Sequence, residues 1–516
     1  MFLSIVNLLL QIDFISQNFF LYHLFKTTQF QMTFSFILFL FLFGLFTYLV
    51  MRQSVARVTR TPVWLLWVAL MLPAVILSAI STTTNTSLPE ILVCYFVVST
   101  LLYWLLFRWG RIPPSNDQNQ SQESAEKRVA TNSTAQITPV RPIERLEETQ
   151  LRKCFPWSIY YVQNIEYRPQ AIICRGQLRT DPTKAYQQIK AKIEAEFDDR
   201  FLLIFQEGLN GKPIFVLVPN TQAAKNVSGK PEKLTRPGMA LLLLLATLVT
   251  TNLVGGRIAG EPTLFGGLPY ALGLMTILGT HELGHYFAAR WYKIRTTLPY
   301  FIPMPLFLGT FGAFIQMRGP VPNRKALFDV SIAGPIAGFI VTIPILLWGL
   351  VNSSVVPFGE NAGLFNFDAL NPRDSILLGL FAKLALGSSL TITSAIDLHP
   401  IAVAGFLGLI VTALNLIPVG QLDGGHIAHA IFGQRTSIVI GQFARLLLIL
   451  RSLAWRQPEF FLWALILLFM PLIEEPALDD VTDLDNMRDF WGLLTLVLLI
   501  LIVLPFPQFL ANYLQI

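Results

Sequence analysis

The pentapeptide His281-Glu282-Leu283-Gly284-His285 sets two imidazoles four residues apart with a carboxylate beside the first. On an α-helix that spacing offsets the rings by about 40° and about 6 Å along the axis, so both can reach one tetrahedral ion. Glu282 points near the same face, where it can take a proton from water activated by such an ion. That is the chemistry of zinc-dependent peptide hydrolysis. The competing explanation is chance, since five-residue patterns recur by accident, although the chain holds only six histidines. Catalytic zinc also needs a third protein ligand and an open position. A common extension of the motif would place a third histidine where Trp291 stands, and no glutamate occurs between Glu282 and Glu360, so that ligand must come from elsewhere.

Two stretches offer a third ligand. Asp329 opens an apolar run in "KALFDVSIAGPIAG", where helix N-capping is the ordinary role of such a residue. In "LGLIVTALNLIPVGQLDGGHIAHA", Asn415, Pro418 and Asp423 follow an apolar run. Pro418 interrupts any helix there, and Gly424 and Gly425 let the backbone turn close to a neighbour. A carboxylate at a broken membrane helix suits a metal or ion site. His426 and His429, three apart on an expected helix, are spare ligands or packing residues supporting the site. His399 precedes Pro400 at a span end and reads as interfacial.

The elements that must position these residues are set by composition. Of 516 residues, 53% are hydrophobic and 14% charged, with apolar runs long enough to cross a hydrocarbon core. Ionisable residues are costly in such a span and are retained there for function. The formal charge of +6 does not point to nucleic acid, because the Lys and Arg lie in short loops beside apolar runs. Cys94, Cys154 and Cys174 are too few and scattered for a disulfide framework and lack metal-site spacing.

The expected fold is a polytopic α-helical membrane protein of about 8–10 spans, with a small α+β soluble domain inserted before the catalytic membrane core. Residues 1–110 form an N-terminal membrane region with spans expected near 33–51, 63–80 and 91–107. The segment before them, apolar but interrupted by Asp13, lacks the basic start and cleavage site of a signal peptide. Residues 111–139 read as a flexible polar linker and 140–236 as the soluble domain. In that domain, strands are expected at 160–167 and 170–178. A helix capped by Asp181 comes next, burying Tyr186, Ile189, Ile193 and Phe197, and then a hairpin of 201–206 and 213–219. The core, 237–516, has spans expected near 239–256, 268–290, 329–350, 401–418, 458–472 and 490–504, and 438–452 is either a span or an interfacial helix. Basic residues concentrate in loop 52–62 and, after the motif, at Lys293, Arg295, Arg318, Arg324 and Lys325, so these loops and the soluble domain should share the cytoplasmic or stromal side.

HExxH in a span, followed in a later one by N-x-x-P-x-x-x-x-D-G from Asn415 to Gly424, resembles the double signature of the site-2 protease family (peptidase M50) of intramembrane zinc metallopeptidases. "GTFGAFIQMRG" and "DVSIAGPIAGF" look like that family's membrane-associated hairpin and the span after it. The extra N-terminal spans, the domain before the core and "RGQLR" at 175–179 resemble the plant and cyanobacterial branch called ethylene-dependent gravitropism-deficient and yellow-green (EGY), whose motif has Asn where Gln177 stands. The resemblance implies one catalytic Zn²⁺ on His281, His285 and Asp423, with Glu282 as general base and then acid and Asn415 near the substrate carbonyl. It implies cleavage of transmembrane protein substrates within the lipid bilayer, in a cyanobacterial plasma or thylakoid membrane or a plastid membrane, with the site toward the cytoplasmic or stromal side. The branch also contains members without the zinc motif, so the alternative is a protease-like membrane scaffold or chaperone. A secondary transporter fits less well, since HExxH has no role there. The sequence assigns neither an oligomeric state nor specific substrates.

Overall fold

The computed structural model describes residues 145–168, 171–208, 211–220, 236–260, 265–304, 308–359, 367–455 and 476–514, with isolated positions between and before them, including a helical turn at 64–68. The expected N-terminal spans and the linker lie outside the described residues apart from such isolated positions, as does most of 458–472. The chain divides into two compact units, Met1–Gln136 and Ile137–Ile516, and both the α+β domain and the helical core belong to the second.

Helix α1 (Arg145–Lys153) leads into a four-stranded antiparallel sheet of β1 (Tyr160–Arg168), β2 (Ala171–Leu178), β3 (Phe201–Glu207) and β4 (Pro213–Pro219), in the order β1-β2-β4-β3. Helix α2 (Pro182–Phe197) crosses from β2 to β3. It begins where the sequence places it, because Asp181 accepts a bond from the Lys184 backbone N–H at 3.1 Å and Pro182 needs no donor partner at the first position. Its face of Tyr186, Ile189, Ile193 and Phe197 is buried with Phe205, Phe215 and Leu217. Cys154 and Cys174 are free thiols in this core, and burial pushes Cys174 up to about 12, out of the reactive range.

The helical core holds α3 (Pro237–Ile258), α4 (Leu268–Trp291), the hairpin β5 (Tyr300–Pro303) and β6 (Thr310–Phe314), then α5 (Arg324–Val351). Strand β7 (Ser354–Pro357), α6 (Ile376–Leu386) and β8 (Ser394–Asp397) come next, β7 pairing with β8. The chain closes with α7 (Pro400–Leu416), α8 (Asp423–Trp455), α9 (Asn486–Val503) and α10 (Gln508–Leu514). Among the described residues, α3, α5 and α9 are long and apolar enough to cross a membrane by length and composition. Helix α4 has the length, but His281, Glu282 and His285 lower its mean hydropathy. Helix α8 is two helical segments joined at the non-helical Gly433 (φ 78°), and 438–452 lies in the second of them.

Helices α4, α5 and α7 pack at close range around a buried apolar cluster that includes Tyr270, Leu274, Leu278, Leu346, Val403 and Leu407. Small residues permit the approach, as is usual between membrane helices: a Cβ at Gly349 would lie 2.4 Å from the Ala402 Cα. Helix α5 starts five residues before the expected 329, since Asn323 is its N-cap and accepts from the Ala326 N–H at 2.8 Å. Asp329 therefore caps nothing. It sits inside α5 and makes a bidentate pair with Arg488 of α9 at 2.8 and 2.6 Å, and accepts the Tyr292 hydroxyl at the end of α4.

One strip ties the sheet to the helices. Phe205 N–H bonds the Leu478 carbonyl at 2.7 Å and Asp480 N–H bonds the Phe205 carbonyl at 2.8 Å, so residues 478–480 extend the sheet beyond β3. On its other side the strip donates from Leu478 and Asp479 to the carbonyls of Val321 and Pro322, at 2.9 and 3.1 Å, immediately before α5.

Candidate metal centre

His281 and His285 lie on successive turns of α4, both buried, with Nε2 atoms 3.2 Å apart. Their backing is α5. His285 donates Nδ1–H to the Val330 carbonyl at 2.7 Å, which fixes the ring and its tautomer and leaves the Nε2 lone pair for a ligand role. Space for the rings comes from glycine: a Cβ at Gly334 would fall 2.1 Å from the His285 Nε2, and one at Gly338 would fall 3.1 Å from the His281 Cβ. While His285 holds this rotamer, position 334 admits no side chain.

Asp423 arrives from the break between α7 and α8. Pro418 stops α7, and α8 restarts at Asp423 folded back against it. A Cβ at Gly424 would lie 2.1 Å from the Leu416 carbonyl oxygen and one at Gly425 2.0 Å from that of Gly420, so the paired glycines make the return possible. The Asp423 Oδ2 then stands 3.4 Å from the His281 Nε2 and 3.3 Å from the His285 Nε2.

Among the described residues, these three form the group whose donor atoms lie within 4.8 Å of one another. The spacing can be tested against an ion. Bonds of about 2.0–2.1 Å in a tetrahedron separate ligand atoms by about 3.3–3.4 Å. The observed edges of 3.2, 3.3 and 3.4 Å match that figure. Two neutral nitrogens and one carboxylate oxygen are zinc donors, and three ligands leave a fourth position open.

Glu282 is buried beside His281, with the backbone N–H of Ile315, just past β6, facing its carboxylate. Asn415, on the last turn of α7, places its Nδ2 3.3 Å from the His281 Nε2. Asp329 is held by Arg488 and Tyr292, outside the donor group. His426 is half-buried and also outside it. His429 is fully buried and bonded to Asp480, and His399 is the N-cap of α7, accepting from Ile401 N–H at 3.3 Å.

Two regions of the chain resemble known families. Residues 269–453 match the profile of peptidase family M50, and 149–226 match that of the EGY3 middle domain. The chain is 31% identical over 363 residues to "Probable zinc metalloprotease EGY2, chloroplastic" of Arabidopsis thaliana, an alignment covering 68% of this chain and 63% of that protein. The chain carries a peptidase M50 domain preceded by an EGY3-type middle domain. To "Probable zinc metalloprotease EGY1, chloroplastic" of the same plant it is 36% identical over 245 residues, 47% of this chain and 44% of the relative. It thus spans a little under two thirds of the EGY2 relatives. No solved structure matches it.

Within this M50 core, two features were not read from the sequence. The supporting role of Val330 and Gly334 had a visible signal, the small residues of "AGPIAG" spaced to let helices meet, although nothing in the spacing says that α4 is the partner. The His429–Asp480 contact spans 51 positions and left no local pattern.

Proposed function

We propose that the protein is a zinc-dependent endopeptidase that cleaves transmembrane proteins within or near their spans. The observation that carries this reading is the convergence of His281, His285 and Asp423 on tetrahedral spacing in a helical core with membrane-length helices. His281, His285 and Asp423 would hold the ion, and zinc bound there supplies Lewis-acid polarisation of a scissile carbonyl and of a water molecule. Glu282 takes the proton from the attacking water and returns it to the departing amine. The Asn415 amide donates toward the carbonyl oxygen as negative charge builds on it.

A substrate helix must unwind first, because its carbonyls are engaged in internal hydrogen bonds. Among the described residues, β6 pairs with β5 on one side only, and its neighbour Ile315 lies beside Glu282, so an unwound segment adding to the β6 edge would pass the base. The test is purified protein in lipid vesicles with a reconstituted transmembrane substrate, measuring bound zinc and cleavage together. Zinc binding with chelator-sensitive cleavage is expected, and zinc binding without cleavage of any membrane substrate would favour a scaffold.

The relatives' names place them in chloroplasts. A plastid or cyanobacterial membrane is the corresponding location for this chain, with the site on the stromal or cytoplasmic side. Support for that side comes from the basic loops and from Val330 and Gly334, which lie within the first turns of α5, the end tied to the soluble domain. Cysteine reporters at Lys190 and Ser388, with Cys94 replaced, are expected to label from opposite faces of sealed vesicles. Labelling of both from one face would overturn the orientation.

A further inference from the structure

We infer that Asp480 and His429 are positioning residues that lock the Asp423 segment of α8 to the sheet of the α+β domain, so that the soluble domain helps set the metal-site geometry. The inference rests on the metal-centre reading and adds a determinant outside the ligand set.

The turn at Gly433 separates residues 423–432 from the rest of α8. That short rod is about 15 Å long, with Asp423 at one end and the residues 429–431 near the other. The far end is held at three consecutive residues. His429, with 0% of its surface exposed, directs Nε2 at both carboxylate oxygens of Asp480, 2.9 and 3.1 Å away. The Arg324 guanidinium, also buried, donates to the carbonyls of Ala430 and Ile431 at 2.8 and 2.9 Å, satisfying carbonyls that the turn would otherwise orphan. The Arg324 backbone N–H in turn bonds the Asp479 carbonyl at 3.3 Å.

Asp479 and Asp480 belong to the strip that extends the soluble sheet past β3. The path from β3 to Asp423 is therefore short and rigid: a ladder of backbone bonds, one buried hydrogen-bonded side-chain pair, and six residues of helix. A buried polar pair in full contact specifies one arrangement of the parts it joins, because losing either partner takes a hydrogen bond from a buried group that water does not reach. Rotation or sliding of the rod about this joint would move the Asp423 carboxylate relative to the two histidines, which are fixed separately on α4.

The test uses the full chain in detergent, with Asp480→Ala and Asp480→Asn, and three readouts: zinc affinity by chelator competition, the ligand-field spectrum with cobalt(II) in place of zinc, and hydrogen exchange at 424–432. Asp480→Ala is expected to weaken zinc binding by about 10- to 100-fold, the range for losses outside the ligand set. It should also shift the cobalt bands and raise exchange in the rod. Asp480→Asn keeps an oxygen to accept the His429 N–H and is expected to restore all three toward native. A folded Asp480→Ala protein with native affinity, spectrum and exchange refutes the joint. If native protein binds no metal, the metal-centre reading fails instead, and exchange at 424–432 alone decides the joint. Should Asp480→Ala not fold, Asp480→Glu keeps the charge on a longer arm, and unmoved cobalt bands and exchange in that variant refute the proposal.

Discussion

Glu282→Gln is expected to keep zinc while slowing cleavage of a transmembrane substrate by about 10²- to 10⁴-fold, the usual worth of a positioned proton acceptor. The reason is a separation of roles. The donor group comprises His281, His285 and Asp423, and Glu282 is not one of its members. Glutamine has nearly the same shape and can turn its amide oxygen toward the Ile315 N–H, so the fold around it should stand. What it lacks is basicity. Zinc content and single-turnover cleavage measured on one preparation separate the two effects. Near-native cleavage by the glutamine variant would refute Glu282 as the base, and loss of zinc would show that it ligates.

Asp423→Ala is expected to lose zinc by well over the 10- to 100-fold typical of losses outside the ligand set, and with it all cleavage. Two nitrogens 3.2 Å apart remain, but the anionic donor and one of three ligand directions are gone. Two comparisons make the result specific. His426→Ala, one turn further along α8 and outside the donor group, should stay within the outer range. Asp329→Ala should retain zinc, since that carboxylate is engaged by Arg488 and Tyr292. Its cost should appear in thermal stability and stay small, about 1 kcal/mol or less, because the pair is partly exposed. If Asp423→Ala keeps zinc while either comparison loses it, the ligand assignment moves to that residue.

The four-stranded sheet, the Asp181 cap and the apolar face of α2 were readable because strand alternation, N-capping and helical periodicity act over a few residues. Helix α6 and the β7–β8 pair were not, since each is short and is stabilised by neighbours distant in sequence. Asp329 shows the same limit within one residue. Its local context reads as a helix start, and only a cation 159 positions later explains why it is there.

The local half of the site is legible in the chain alone. His281, Glu282 and His285 share a helix face because the α-helix repeats every 3.6 residues, and Pro418 with Gly424 and Gly425 announced a broken, close-packed turn before Asp423. Which carboxylate meets the histidines was settled by packing. The glycine face of α5 lets α4 approach and lends the Val330 carbonyl to His285. The 478–480 strip, through Asp480 and Asp479, meets His429 and Arg324 at the far end of the Asp423 segment. Local periodicity reports which face of an element is apolar or polar, whereas the partner of that face is chosen by packing and hydrogen bonding between segments far apart in the chain, and no spacing rule records it.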